Sequence, residues 1–177
     1  MAKVEPVDLF LDRPNLPVYK RIGWGIKAGY GTSNDFIDLI LFSAKDDIHS
    51  LDIQTTASTG VQPAENMVIA LKGQKEVIKN LKIDFELARS GHTRDLTAPR
   101  SPISSGISAD FDNILFHRHA STIYANAASA NLAYQLKKIR MGVGYQRINP
   151  GYKTFGAYFF NDDLENTTLQ FSGYGIG

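Results

Sequence analysis

Apolar and polar residues alternate along most of this chain with a period of two, the spacing expected of β-strands that bury one face. From Lys20 to Gly31, Ile22, Trp24, Ile26, Ala28 and Tyr30 fall on one side, and Arg21, Gly23, Gly25, Lys27 and Gly29 fall on the other. A second strand is predicted from Phe36 towards Lys45; it is apolar on both sides except at Asp38. A third is predicted over Asn66–Lys75 and a fourth from Leu81, where Leu81, Ile83, Phe85 and Leu87 alternate with Lys82, Asp84, Glu86 and Ala88. In the fifth, Thr122–Leu136, Tyr124, Ala128, Ala130, Leu132, Tyr134 and Leu136 share a face that Asn126 interrupts, opposite Ser129, Asn131 and Gln135. The sixth sets Ile139, Met141, Val143 and Tyr145 against Arg140, Gly142, Gly144 and Gln146. The seventh, from Glu165 towards Gly177, sets Thr167, Leu169 and Phe171 against Thr168, Gln170 and Ser172.

The connections alternate in length. Thr32-Ser33-Asn34, Lys79-Asn80 and Lys137-Lys138 read as tight turns, whereas residues 46–64, 92–119 and 148–164 read as long loops. In an up-and-down meander this order puts every short turn at one end and every long loop at the other, the shape of a transmembrane β-barrel. The predicted strands also reach the roughly 9–11 residues that a tilted barrel strand needs to cross a bilayer. The expected fold is therefore all-β: an antiparallel up-and-down meander of about seven long strands, forming a partial, open transmembrane-type barrel. Residues 1–19, with Pro6, Pro14 and Pro17, read as an extended loop, and residues 20–177 as one barrel segment. A soluble barrel or sandwich that binds a small apolar ligand presents the same alternation and stands as the alternative.

Composition narrows the function classes. The formal net charge is +1 and charged residues make up 21% of the chain, without the basic excess of a nucleic-acid module. There is no cysteine, which removes disulfides, thiolate metal sites and Cys nucleophiles. Mean hydropathy is −0.20, and no apolar run approaches the roughly 20 residues of a membrane helix; a barrel, with only alternate residues facing lipid, needs none. The first eight residues, Met1 to Asp8, lack the apolar core and small-residue cleavage site of a signal peptide.

The run from Gly144 to Asn166, which contains Asn149-Pro150-Gly151-Tyr152-Lys153-Thr154-Phe155-Gly156, resembles a segment of large outer-membrane β-barrel proteins of the Bacteroidota. Leu16–Lys27 and Phe42–Leu51 resemble the same family in the same order. The resemblance implies a longer, exported parent protein of which this chain is an interior slice, a bacterial outer-membrane location, and no catalytic residues to carry over. The expected partners are the lipid bilayer and either the remaining barrel strands or other copies along the sheet edges. The expected role is structural and non-enzymatic: a channel, a receptor scaffold or a surface-exposed barrel. A hydrolase in the barrel wall is a further reading without a nucleophile context to support it.

No residue set specifies a catalytic, ligand or metal site, and no cofactor is expected. His117-Arg118-His119 puts two histidines on one side of an extended segment, but a metal centre needs further ligands and Arg118 adds positive charge; a solvated entry into a strand is the plainer reading. Asp46-Asp47, and Asn161-Asp162-Asp163 with Glu165, are oxygen-rich but lack the alternating acids and sixth-position glycine of an EF-hand, and read as solvated loops. Gly23-x-Gly25 with Gly29 lies within a strand and opens no helix, so it suits close side-chain crossing better than a dinucleotide. There is no G-x-S-x-G elbow, and Asn166-Thr167-Thr168 forms a sequon only formally.

The aliphatic sets Ile22/Trp24/Ile26, Leu81/Ile83/Phe85/Leu87 and Ile139/Met141/Val143 should share one face, outward to lipid. Lys27, Asp84, Glu86, Gln135 and Arg140 should line a polar interior. An odd number of strands would bring first and last together in parallel, so the chain is not expected to close on itself.

Overall fold

The computed structural model describes residues 18–52, 57, 59–101, 116–157 and 162–173. Among these residues seven strands follow one another: β1 (Arg21–Gly31), β2 (Phe36–Asp46), β3 (Glu65–Ile78), β4 (Leu81–Thr93), β5 (Thr122–Leu136), β6 (Ile139–Ile148) and β7 (Leu164–Gly173). They form a single sheet in sequential order, every neighbouring pair antiparallel. The sheet is an open meander: β1 and β7 each have one neighbour and do not pair with each other. The part of the last predicted strand beyond Gly173, and residues 1–17, lie outside the described residues.

The short turns cluster at one end as the alternation of connection lengths requires. In the β3–β4 turn Asn80 takes φ 70, and in the β5–β6 turn Lys137 takes φ 46. Asparagine tolerates the left-handed region because its short amide can bond locally, whereas lysine has no such compensation. A bulge between Glu76 and Ile78 precedes the first of these turns.

Several boundaries differ from the sequence reading: β3 runs to Ile78, beyond Lys75, and β4 and β2 are longer than expected. The loop expected from His92 starts later, because His92 and Thr93 continue β4. Their polar side chains break the apolar alternation, yet Thr93 pairs with Glu65 on one side and Thr122 on the other. Its hydroxyl lies 2.8 Å from that of Thr122, and Thr93 is fully buried. Similarly, β2 extends to Asp46, which is buried and held by Arg21 Nε at 2.7 Å and Nη2 at 3.0 Å. The expectation of solvated acids at 46–47 thus fails at Asp46, because a cross-strand guanidinium replaces water there.

Packing within the sheet uses glycine where side chains must cross. Gly29 faces Asp38 across β1–β2, and the Asp38 carboxylate occupies the space a Cβ at Gly29 would need. That position lets Asp38 reach Lys27 Nζ at 2.8 Å. On the other face the Phe85 ring lies over Gly73, its cross-strand partner, so the ring covers backbone that a side chain would otherwise shield.

Candidate functional site

The register fixes which residues share a face, since directly opposed residues in an antiparallel ladder point the same way. Ile22, Trp24, Ile26 and Tyr30 of β1 continue through Leu41, Leu39 and Ile37 of β2, Ile69 and Leu71 of β3, and Leu87, Phe85, Ile83 and Leu81 of β4. The row runs on through Ala128, Ala130, Leu132 and Tyr134, then Tyr145, Val143 and Met141, to Leu169 and Phe171. The three aliphatic sets expected to share a face therefore do. The opposite face carries Arg21, Lys27, Asp38, Asp46, Lys72, Glu76, Lys82, Asp84, Glu86 and Arg140, with Ser129, Asn131, Gln146, Asn166 and Thr168.

The two faces differ in chemistry, and along β1 and most of β7 both stand exposed. On the apolar face Leu169 is 81% exposed and Phe171 74%, and among the described residues every large exposed hydrophobic except Val18, Ile48 and Val77 lies there. The polar face is knitted together by side chains. Lys72 lies 3.7 Å from Glu86, and Asn131 Nδ2 donates to Asp84 Oδ1 at 2.8 Å.

At the long-loop end a strap, residues 149–157, leaves β6 and crosses the polar face. Asn126 O accepts from Asn149 N at 2.9 Å, and the turn that follows places Gly151 at φ 79. Tyr152 then drops onto Ala125 and Ile148, with Ala88, Ala127 and Leu164 around them. Burial pushes the Tyr152 phenol above its ordinary pKa, and Glu86 adds to the effect. The alanines make this seat, because larger side chains would lift the ring off the sheet.

Asn66, which is fully buried, fastens the strap: its Nδ2 donates to Lys153 O at 2.9 Å, Gly91 O at 3.0 Å and Ser90 Oγ at 3.1 Å. Its Oδ1 accepts from Phe155 N at 3.0 Å, and Ser90 Oγ also donates to Lys153 O. Phe155 lies between Arg21, whose guanidinium carbon is 3.6 Å from the ring centroid, and His92, edge-on at 5.3 Å. The strap thus reaches from β6 back to β1.

The apolar face is covered at the same end by parts of the β4–β5 connection. Phe116 is buried against Gly91 and meets the Tyr124 ring at 6.3 Å. Beside it a cavity of about 650 Å³ is lined by Ile22, Trp24, Glu65, Arg100, His117 and His119, among others. Glu65 is buried; its Oε2 has no hydrogen-bond partner among the described residues, and Lys45 Nζ is 3.9 Å away. Burial, then Arg100, Lys45 and His119, push the His117 imidazole below the ordinary histidine pKa.

These placements decide the candidate motifs one by one. His119 is buried, not solvated as expected, and its Nδ1 lies 2.9 Å from His117 O. Among the described residues no group of three or more His, Cys, Asp or Glu is arranged to hold a metal ion. Asp47 Oδ1 accepts from His49 N at 3.0 Å. Asp162 Oδ2 accepts from Gly151 N at 3.0 Å, whereas Asp163 and Glu165 both turn to Arg147, at 3.2 and 3.9 Å. Asn161 lies outside the described residues. Gly23, Gly25 and Gly29 are interior to β1, and Asn166 bonds Thr168 within β7.

Sequence reasoning missed Asn66, Ser90 and the strap. Each is one polar residue at a strand end, and only the fold brings them together. No known protein family, curated protein or solved structure matches the chain.

Proposed function

We propose that this chain forms part of the wall of a β-barrel spanning the bacterial outer membrane, with its apolar face against lipid and its polar face lining the interior. The observation that carries the reading is an apolar face that stands exposed across the sheet. Ile22, Trp24, Ile26, Leu39, Leu87, Leu132, Val143, Leu169 and Phe171 are all exposed on it, while small and polar residues such as Asn66, Ser90, Ala44, Ala70 and Ala125 are buried on the other face. A protein folding in water would bury those aliphatics, at roughly 1.5–3 kcal/mol each. In a bilayer, the lipid tails take the place of that core.

Further features of the apolar face agree. The apolar stretch of β5 from Ala128 to Leu136 falls within the roughly 9–11 residues that a tilted strand needs to cross the bilayer. Trp24, Tyr124 and Tyr145 lie towards the long-loop end, and Tyr30 and Tyr134 towards the turn end, like the aromatic girdles at membrane interfaces. Apart from Lys75, the charged residues of this face (Lys45, Glu65, Arg89, Arg147 and Glu165) lie towards the long-loop end. In this reading the strap lies inside the barrel and narrows it, and the free edges of β1 and β7 pair with further strands or other copies. An open edge in lipid would cost several kcal/mol per unpaired backbone group. The role is that of a channel, receptor scaffold or surface-exposed barrel, in line with the resemblance to the Bacteroidota barrels.

Polarised infrared spectroscopy of the full chain mixed with dilauroylphosphatidylcholine vesicles tests the reading. The expected result is β-structure that forms on lipid addition, with strands tilted from the membrane normal. A chain that folds and stays monodisperse in buffer alone would contradict it and favour the soluble barrel.

A further inference from the structure

The polar face holds a second cavity, of about 660 Å³, between the strap and the ends of β1, β3 and β4. Arg21, Arg94, His92, Lys153, Gln62 and Phe155 contribute to its lining, and among the described residues no carboxylate does. Asp46, which pairs with Arg21, is fully engaged: Arg21 takes both of its oxygens, and Ala64 N donates to Oδ2 at 3.0 Å. Arg94 and Lys153, by contrast, have no carboxylate within ion-pair distance among the described residues. Among the described residues, two cations without a carboxylate partner therefore line one cavity, Arg94 from the start of the β4–β5 connection and Lys153 from the strap. The Phe155 ring, packed against Arg21 and His92, lines it as well.

Two cations that line one cavity favour an anion in it. Arg94 and Lys153 are exposed, so water screens part of their mutual repulsion. The rest is relieved by any anion that enters, and a planar guanidinium with an ammonium suits an oxyanion, which accepts from both. Gln62 and Thr154 add neutral donors at the rim. The volume exceeds that of a bare inorganic ion and leaves room for an organic group against Phe155.

We propose that this cavity binds the oxyanionic group, phosphate, sulfate or carboxylate, of a small organic solute. Arg94 and Lys153 supply the charge, and Phe155 supplies the surface for the solute's body. The site does not depend on what lies against the apolar face, so it stands or falls separately from the membrane reading.

The test is isothermal titration of the full chain, in uncharged detergent or in buffer as its solubility requires, with phenyl phosphate as probe. The expected result is saturable binding at one site that inorganic phosphate displaces. R94Q/K153Q should raise Kd at least tenfold. K79Q/K138Q, which removes the same charge from turns at the far end of the sheet, should leave Kd within twofold. Circular dichroism confirms that both variants keep their β-structure, which the exposure of all four side chains favours. Non-saturable binding, failure of phosphate to displace the probe, or equal weakening in the two double variants would overturn the proposal.

Discussion

The two faces of this sheet are made by the same strands, often by adjacent residues, yet they follow different rules. On the polar face charges sit in pairs: Lys27 with Asp38, Lys72 with Glu86, Arg21 with Asp46. On the apolar face the middle of every strand is free of charge and the large side chains stand exposed. Propensity cannot explain the difference, since both faces share one backbone. On the proposed reading the medium that each face meets separates them, and a one-residue slip of register would exchange the two.

The sharpest way to break the comparison is to put the same charge on each face of one strand. Leu132→Arg, in the aliphatic stretch of β5, should destabilise the lipid-inserted protein by about 2–4 kcal/mol in urea unfolding from vesicles. Ser129→Arg, three residues away and opposite Glu86, should shift it by less than about 1 kcal/mol. Equal effects would mean that the faces do not meet different media.

A second contrast lies between the strap and the strands beneath it. Asn66→Ala removes the side-chain partner of Gly91 O and Phe155 N, while Lys153 O keeps Ser90 Oγ, a loss of about 1–3 kcal/mol. Amide exchange should then accelerate at Phe155 and Gly156 while the centres of β4 and β5 remain protected. Uniform acceleration would show that the strap and sheet form a single cooperative unit.

Smaller effects sharpen the account at single pairs. Arg21→Gln leaves the buried Asp46 with only the backbone of Ala64, but Arg21 is 44% exposed, so the expected destabilisation is held to about 1 kcal/mol. The Phe155 amide should also become less protected, as the guanidinium over its ring is lost. Lys137→Gly removes a left-handed strain of roughly 1–2 kcal/mol against the entropy of added glycine freedom, for a net gain below about 1 kcal/mol. A higher urea midpoint with an unchanged slope is the expected sign.

Much of this architecture was legible in the sequence, for a definite reason. A period of two is read locally, so Leu81–Leu87 against Lys82–Ala88 revealed both a strand and its two faces. Alternating short and long connections then gave the strand order and gathered the turns at one end. What lay beyond reading was whatever the fold assembles from distant parts. Asn66 and Phe155 are 89 residues apart in the chain, and neither stands out alone. Polar neighbours in sequence make Asp46 and His119 look solvated, but their partners in space bury them. The cations of the strap cavity were missed for the same reason: Arg94 and Lys153 come from different long loops.

The central claim is that the apolar face meets lipid and the polar face water. The absence of cysteine makes single-cysteine spin labels clean reporters. Labels placed in turn at residues 81 to 87 of β4, in the full chain in vesicles, should alternate. Leu81, Ile83, Phe85 and Leu87 should be relaxed strongly by dissolved oxygen, and Lys82, Asp84 and Glu86 by a water-soluble nickel chelate. Accessibility without that alternation, or nickel access along the odd-numbered positions, would contradict the account.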